Sequence, residues 1–296
     1  MAKKPNKDDC MIIHIPDPNF KRYCIKNFDV NNDGEISIEE ALKIRYIDCC
    51  GLNIKSLEGI GNFHNLKKLH CDENKLTSLD LSNNLLLQEL SCEANELTEI
   101  NVTKNKDLKS LNCDFNKLTR LDVRKNSCLR ELKCGYNKLS TLNIKHNKVL
   151  KVLDCWYNGL KIIDLNHNPE LEELNCSLNR LKNLDVCNNM KLGRLICSEN
   201  NLKDIDVSNN KELWALDICN NCFTAIDVRH NHKLEYLKCF GNNISVLDVS
   251  QNKELEYLDC EHTSLTFLDL SKNKKLKELY CSVIDSNLME GDIITA

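Results

Sequence analysis

Twelve residues near the N-terminus, Asp29 to Glu40 (DVNNDGEISIEE), concentrate oxygen ligands at regular spacing. Asp29, Asn31 and Asp33 take places 1, 3 and 5 of the pattern and offer side-chain oxygens. Gly34 permits a sharp turn, and Glu35 follows it with a backbone carbonyl. Ser37 can bind directly or through water, and Glu40 closes the set as a bidentate carboxylate. Hard oxygens at this spacing suit calcium, so one structural calcium ion is expected. The alternative is a loop that keeps the fold without the ion.

Other reactive residues carry less. Cys219 and Cys222 form a C-x-x-C with redox or zinc spacing. No second pair accompanies them and no helix start lies there to activate a thiol, so coincidence within a repeat is preferred. The 8 histidines are scattered, with His70, His146 and His262 in unrelated contexts and His14 and His64 far from evident partners. Paired acids such as Glu172 and Glu173 read as a solvated face. No nucleophile motif or phosphate loop is present, and no enzyme is expected.

The oxygen-rich loop needs two flanking helices. Asp17 and Pro18 open the first, with Asp17 as N-cap and Pro18 at the first helical position. Ser37 opens the second, expected to run through SIEEALKI. Calcium switches pair two such loops, whereas one alone is better suited to closing the end of a stack.

The rest of the chain has the period of such a stack. From Leu66, every 21st residue through Leu276 is leucine, eleven in all without insertion or deletion. With that leucine as position 1, position 4 is also leucine, and position 6 is cysteine in all but one unit. Position 9 is asparagine from Asn74 to Asn242, and position 19 is asparagine from Asn84 to Asn273. Positions 11, 14 and 16 are aliphatic apart from Phe223, and position 15 is Asp or Asn. Positions 3 to 7 alternate, placing 4 and 6 on one face and 3, 5 and 7 on the other. One coil cannot bury its apolar side alone; neighbours can bury it together. The asparagines are expected to satisfy turn backbone that would otherwise be buried unpaired. The short stretch from 11 to 16 should be extended rather than helical. Eleven of the 18 cysteines share the position-6 column, and Ile218 fills the vacant place. Isoleucine there marks a core position, so this ladder is packing rather than metal binding or disulfide chemistry.

The pattern L-x-x-L-x-C-x-x-N-x-L resembles a leucine-rich repeat over about 44–284. Together with the opening IPDPNFKRYCIKNFDVNNDGEISIEEA and coils such as LKDIDVSNNKE, it resembles Bacteroidetes-type leucine-rich repeat surface proteins with an EF-hand or dockerin-like calcium loop. The resemblance implies an α/β repeat fold. Its parallel β-sheet lines the concave face, the convex side is short and extended, and a helix–loop–helix cap closes the N-terminal end. The expected divisions are a tail at 1–16, the cap at 17–46, a capping coil at 47–65, repeats at 66–284 and a tail at 285–296. It also implies export to the cell surface or periplasm as a mature fragment without its leader; the alternative is the cytoplasm. Cys10 follows Asp8 and Asp9 rather than an apolar stretch, so it is not a lipid-attachment residue.

Net charge is −4, and no basic patch points to nucleic acid. No apolar run approaches the roughly 18 residues of a membrane span. Aromatics carry the remaining signal. Phe115, Tyr136, Trp156 and Tyr157 fall at positions 7 and 8 of three consecutive coils. Trp214, Tyr236 and Tyr257 fall at positions 2 and 3 of three more, with Ile196 and Tyr280 nearby. Tyr and Trp anchor protein interfaces, so these seven are the expected ligand-binding surface of a monomeric protein-binding scaffold. A glycan-binding surface is the alternative, because aromatic rows also stack on sugar rings. The structural alternative is that exposed strands simply favour aromatics.

Overall fold

The computed structural model describes residues 11–282. Cys10, the tail at 285–296 and the last two residues of the final repeat lie outside them. The chain divides into two compact units, Met1–Lys138 and Leu139–Ala296.

The first unit begins with the cap. Helix α1, Pro18–Phe28, starts where Asp17 Oδ1 accepts the backbone N–H groups of Asn19 and Phe20 at 2.9 and 3.0 Å. It buries Phe20 and Cys24. The second oxygen, Oδ2, accepts from the N–H groups of Lys55 and Ser56 at 2.8 and 3.2 Å. One carboxylate therefore caps the helix and fastens it to the first coil. Helix α2, Ile38–Ala41, is shorter than SIEEALKI led us to expect. Lys43 and Ile44 donate to the carbonyls three residues back, which tightens and ends the turn. The chain then extends so that Ile47 and Cys49 enter the core.

Residues 11–16 are not a loose tail but part of the cap. Ile12 bridges Ser37 antiparallel, with Ile13 N–H donating to Ile36 carbonyl at 2.8 Å and Ile38 N–H to Met11 carbonyl at 3.0 Å. The loop thus pairs with its own upstream chain. Gly59 is required beneath this segment: its φ is +100° and an added Cβ would sit 2.8 Å from the His14 carbonyl.

Strands β1 (Tyr46–Asp48), β2 (Lys68–His70), β3 (Glu89–Ser91), β4 (Ser110–Asn112) and β5 (Glu131–Lys133) pair in chain order, all parallel. Leu69 faces Leu90 and Leu90 faces Leu111, a register of one repeat; Tyr46 faces Lys68, which locates the one extra residue of the capping coil. In the second unit β6 (Val152–Asp154), β7 (Glu173–Asn175), β8 (Arg194–Ile196), β9 (Ala215–Asp217), β10 (Tyr236–Lys238), β11 (Tyr257–Asp259) and β12 (Glu278–Tyr280) repeat the arrangement. Each strand buries its central residue and turns the outer two away from the core. Among the described residues the return segments from Leu66 onward hold no helix and one isolated bridge, Ala225 with Val246.

Positions 1, 4, 6, 11, 14 and 16 form the core, as in Leu108, Leu111, Cys113, Leu118, Leu121 and Val123, and loosen at the C-terminal end, where Leu268, Leu270 and Leu276 are half-buried. The cysteine thiols point along the sheet. Cys71 Sγ donates to Ser91 carbonyl and Cys113 Sγ to Lys133 carbonyl, both at 3.3 Å, rather than toward a second sulfur. Burial pushes the Cys176 and Cys239 thiols up to about 12, so the ladder is chemically quiet. Ile218 is fully buried in the same column.

Position 9 works between coils. Asn116 Nδ2 donates to its own Cys113 carbonyl at 3.2 Å and to Cys92 carbonyl of the preceding coil at 2.9 Å. Its Oδ1 accepts the Leu97 N–H at 3.0 Å. The analogy at position 19 is partial. Asn105 Nδ2 donates to Leu81 and Asn84 carbonyls, but its buried Oδ1 meets no protein donor. The acids of position 15 take a role not foreseen: Asp80 accepts the Ser82 N–H at 2.9 Å and Asp206 the Ser208 N–H at 2.9 Å, closing the turn two residues on.

Candidate functional site

Side chains at positions 2, 3, 5, 7 and 8 leave the strands on the side away from the core. Position 8 has a backbone reason. Glu73, Ala94, Phe115, Tyr136, Tyr157, Leu178, Glu199, Asn220 and His262 all have φ between 50° and 54° or slightly below, down to 46° at Tyr136. A left-handed residue after the strand turns the chain toward the asparagine of position 9. It also throws its own side chain outward. Non-glycine residues are disfavoured there by roughly 1–2 kcal/mol each. Because the column includes Glu, Ala and Leu, the strain belongs to the scaffold and not to the aromatics alone.

In the first unit Phe115 and Tyr136 stack at 4.9 Å with 26° between planes, each more than 40% exposed (41% and 44%). In the second unit Trp156 and Tyr157 meet edge to face at 6.1 Å. Farther along that unit Trp214, Tyr236, Tyr257 and Tyr280 make a continuous row. Their successive centroids are 6.3, 6.0 and 5.6 Å apart. Tyr280, expected only nearby, completes this row. Lys238 Nζ lies 5.0 Å from the Tyr257 ring centre. Burial, then Asp259, pushes the Tyr257 hydroxyl up to about 12, so it stays a neutral donor. The rings of neighbouring coils contact one another along the face.

A second string lies on the first strands. Tyr46 Oη donates to Asp48 Oδ2 at 3.0 Å and stands 3.3 Å from His70 Nδ1, while His70 Nε2 is 2.8 Å from Glu89 Oε1. Position parity places these groups on one face, a signal available but unused for His70. Cys219 is half-buried, and burial followed by Asp217 raises its thiol, the opposite of an activated nucleophile.

The oxygen-bearing residues of the Asp29–Glu40 loop bond chiefly to the loop's own backbone. Asn31 Oδ1 accepts the Asp33 N–H at 2.9 Å, Asp33 Oδ1 the Glu35 N–H at 2.9 Å, and Asp29 Oδ2 the Gly34 N–H at 3.0 Å. These bonds wind the loop tightly on itself. Glu40 is buried; Oε1 accepts from Val30 N–H at 2.8 Å, and Oε2 from Ser37 N–H and hydroxyl at 2.9 and 2.8 Å. Burial opposes its ionisation, but these bonds to Ser37, Val30 and Asn31 outweigh it and hold its carboxyl below the usual range. The Glu35 side chain pairs with Lys21 at 2.7 Å, leaving only its carbonyl for a metal. Among the described residues no group of three or more His, Cys, Asp or Glu side chains converges as a metal site. The donor set fits calcium in type: three carboxylates supplemented by Asn, Ser and carbonyl oxygens.

No protein-family model matches the sequence, and no curated protein matches it. Solved structures do. The functional domain of InlJ from Listeria monocytogenes, which includes a cysteine ladder, is 37% identical with a TM-score of 0.88, covering 90% of this chain and 59% of that one. This chain therefore spans about three fifths of that domain. An internalin, inlF, of the same species is 19% identical with a TM-score of 0.73, covering 92% and 96% of the two chains. YopM, a leucine-rich effector protein from Yersinia pestis, is 26% identical with a TM-score of 0.67, covering 75% and 63%. Among the described residues no helix is long and apolar enough to cross a membrane. In fold the chain is a leucine-rich repeat solenoid, the architecture it shares with these bacterial proteins.

Proposed function

We propose that this chain is a non-enzymatic scaffold that binds a protein partner on its exposed sheet face, outside the bacterial cytoplasm. The observation that carries the reading is the row Trp214–Tyr236–Tyr257–Tyr280, four rings in mutual contact on a face that the core does not need. The likeness to internalins and to a leucine-rich effector supports it, as does the resemblance of the N-terminal opening to exported repeat proteins. Phe115 with Tyr136, and Trp156 with Tyr157, are further anchors of the same kind. The test is parallel screening on protein and glycan arrays, with the double variant Trp214→Ala, Tyr236→Ala as control. Protein ligands should bind wild type and lose at least tenfold in affinity with the variant, whose melting curve stays unchanged. Binding confined to glycans, or indifferent to both rings, would overturn the reading.

The same proposal includes one structural calcium ion held by Asp29, Asn31, Asp33, Glu40, Ser37 and the Glu35 carbonyl. The bridge between Ile12 and Ser37 supports a structural role, because the loop is already paired within the chain. Calcium at a hundredfold excess over its Kd should add about 3 kcal/mol to stability. Glu40→Gln should abolish that increment, measured as the difference between calcium and chelator within each variant. A titration that exposes new apolar surface to a dye without raising stability would instead make the loop a sensor.

A further inference from the structure

One small residue lies beside the N-terminal end of the aromatic row. Position 3 is Arg194 in β8, Ala215 in β9 and Tyr236 in β10, and these three lie in register. Ala215 thus floors a notch of 210 Å³ walled by Ile196, Trp214 and Tyr236, with Asp217 and Lys238 at its rim. Gly193 makes the wall possible. A Cβ there would stand 3.0 Å from both Cδ1 and Nε1 of Trp214, so the ring lies close over a backbone with no side chain.

The charges around the notch are unbalanced. In the five coils from Leu192 onward, positions 2, 3, 5 and 7 hold three cations, Arg194, Lys238 and Lys277. The same positions hold six carboxylates: Asp217, Glu235, Glu256, Asp259, Glu261 and Glu278. Arg194 and Lys238 themselves line the notch, and each of the three cations has another acidic or aromatic neighbour. Arg194 reaches toward Glu173 at 3.9 Å, Lys238 sits over Tyr257, and Lys277 pairs with Glu256 at 2.8 Å. Asp217 makes no salt bridge among the described residues; its Oδ1 accepts the Cys219 N–H at 3.0 Å, and its carboxylate also takes a hydrogen bond from the Cys219 thiol, so its neighbours here are neutral donors. Burial raises the Asp259 carboxyl; the Glu261 N–H and Lys238 oppose this, and the charges of Glu261 and Asp217 add to it.

We propose that this notch receives a basic side chain, lysine or arginine, from a protein partner. The proposal rests on the sheet-face reading above. The aliphatic stem packs on Ala215 and Ile196, the cation meets the faces of Trp214 and Tyr236, and its charge pairs with Asp217. An apolar anchor would leave Asp217 desolvated and unpaired, and an acidic one would meet the carboxylate surplus.

The test uses the full chain with Trp156→Phe, which leaves Trp214 as the one tryptophan, since the sequence has two. The probes are three decapeptides of alternating glycine with arginine, glutamate or leucine. The arginine peptide should shift Trp214 emission saturably in physiological salt, and the other two should not. Asp217→Asn should weaken this binding at least tenfold. Ala215→Leu, which fills the notch without touching a charge, should do the same and covers the case in which the Asp217 variant misfolds. A response equal for all three peptides, or unaffected by both substitutions, overturns the proposal. If an array partner depends on Trp214 and Tyr236 but binds equally after its lysines and arginines are neutralised, the basic anchor falls while the scaffold reading stands. If no protein binds at all, both fall.

Discussion

Asn74→Ala should lower stability by about 4 kcal/mol, roughly twice the loss from Asn116→Ala. The chemistry removed is the same, and the difference is redundancy. Inside the first unit the position-6 carbonyls of Cys71, Cys92 and Cys113 are each served by two asparagines. Cys92 carbonyl accepts from Asn95 of its own coil at 3.2 Å and from Asn116 of the next at 2.9 Å. Removing Asn116 still leaves Cys92 and Cys113 with one donor each, from Asn95 and Asn137, and orphans only the Leu97 N–H. Asn74 is the first of its column. The Cys49 carbonyl has it as its asparagine donor, at 2.9 Å, with no earlier rung to replace it. Its Oδ1 also accepts from both Leu52 and Ile54 N–H groups, at 3.2 and 2.9 Å. Three backbone groups then lose these bonds, and two of them, the Cys49 carbonyl and the Ile54 N–H, are buried, each at about 1–3 kcal/mol. Denaturant unfolding of both variants checks this, and equal losses would show that the rungs act independently.

Asp17→Ala should cost about 3 kcal/mol, nearer to a broken network than to an ordinary helix cap, which is worth about 1 kcal/mol. Four backbone donors converge on this carboxylate, two from α1 and two from the first coil. Burial alone would raise its pKa; the N–H groups of Phe20, Lys55, Asn19 and Ser56 outweigh it and hold the carboxyl below the ordinary range. A depressed folded value means that this stabilisation is complete above the unfolded pKa, near 3.8, and fades as pH falls through the folded value. Wild type should therefore lose its advantage over Asp17→Ala only below about pH 4. Hydrogen exchange should show α1 amides released first in the variant. A gap that persists unchanged to pH 2 would place the effect in packing rather than in charge.

Much of this architecture is legible in the residues alone, because a period of 21 turns single-residue preferences into columns. Eleven leucines in one column leave no doubt which side faces inward. Ile218 among cysteines gave the ladder its meaning as core, and the position-9 asparagines announced their backbone role. The left-handed column at position 8 was hidden for the opposite reason. Its occupants range from Glu73 through Ala94 and Tyr136 to His262, with Gly241 the one glycine from Leu66 onward, so composition carries no mark of the conformation. Three further features depend on contacts distant in sequence. Asp17 was legible as a cap but not as a clamp on Lys55, 38 residues away. Met11 to Ile13 gave no sign of pairing with Ile36 and Ile38 across the loop. Gly193 carries no mark in the sequence of Trp214 lying over it, 21 residues on.

The reciprocal bonding of the coils also bears on how such a chain changes length. Each coil presents to the next the same carbonyl at position 6, the same amide at position 11 and the same asparagine pair. Excision or duplication of one whole coil within a unit rejoins surfaces that were already partners of identical copies. A cut of any other size breaks every column at once. Recombination is thereby channelled into whole-coil steps, and reach along the binding face becomes a heritable quantity that varies in integers while the ends, with Asn74 and the cap, stay fixed.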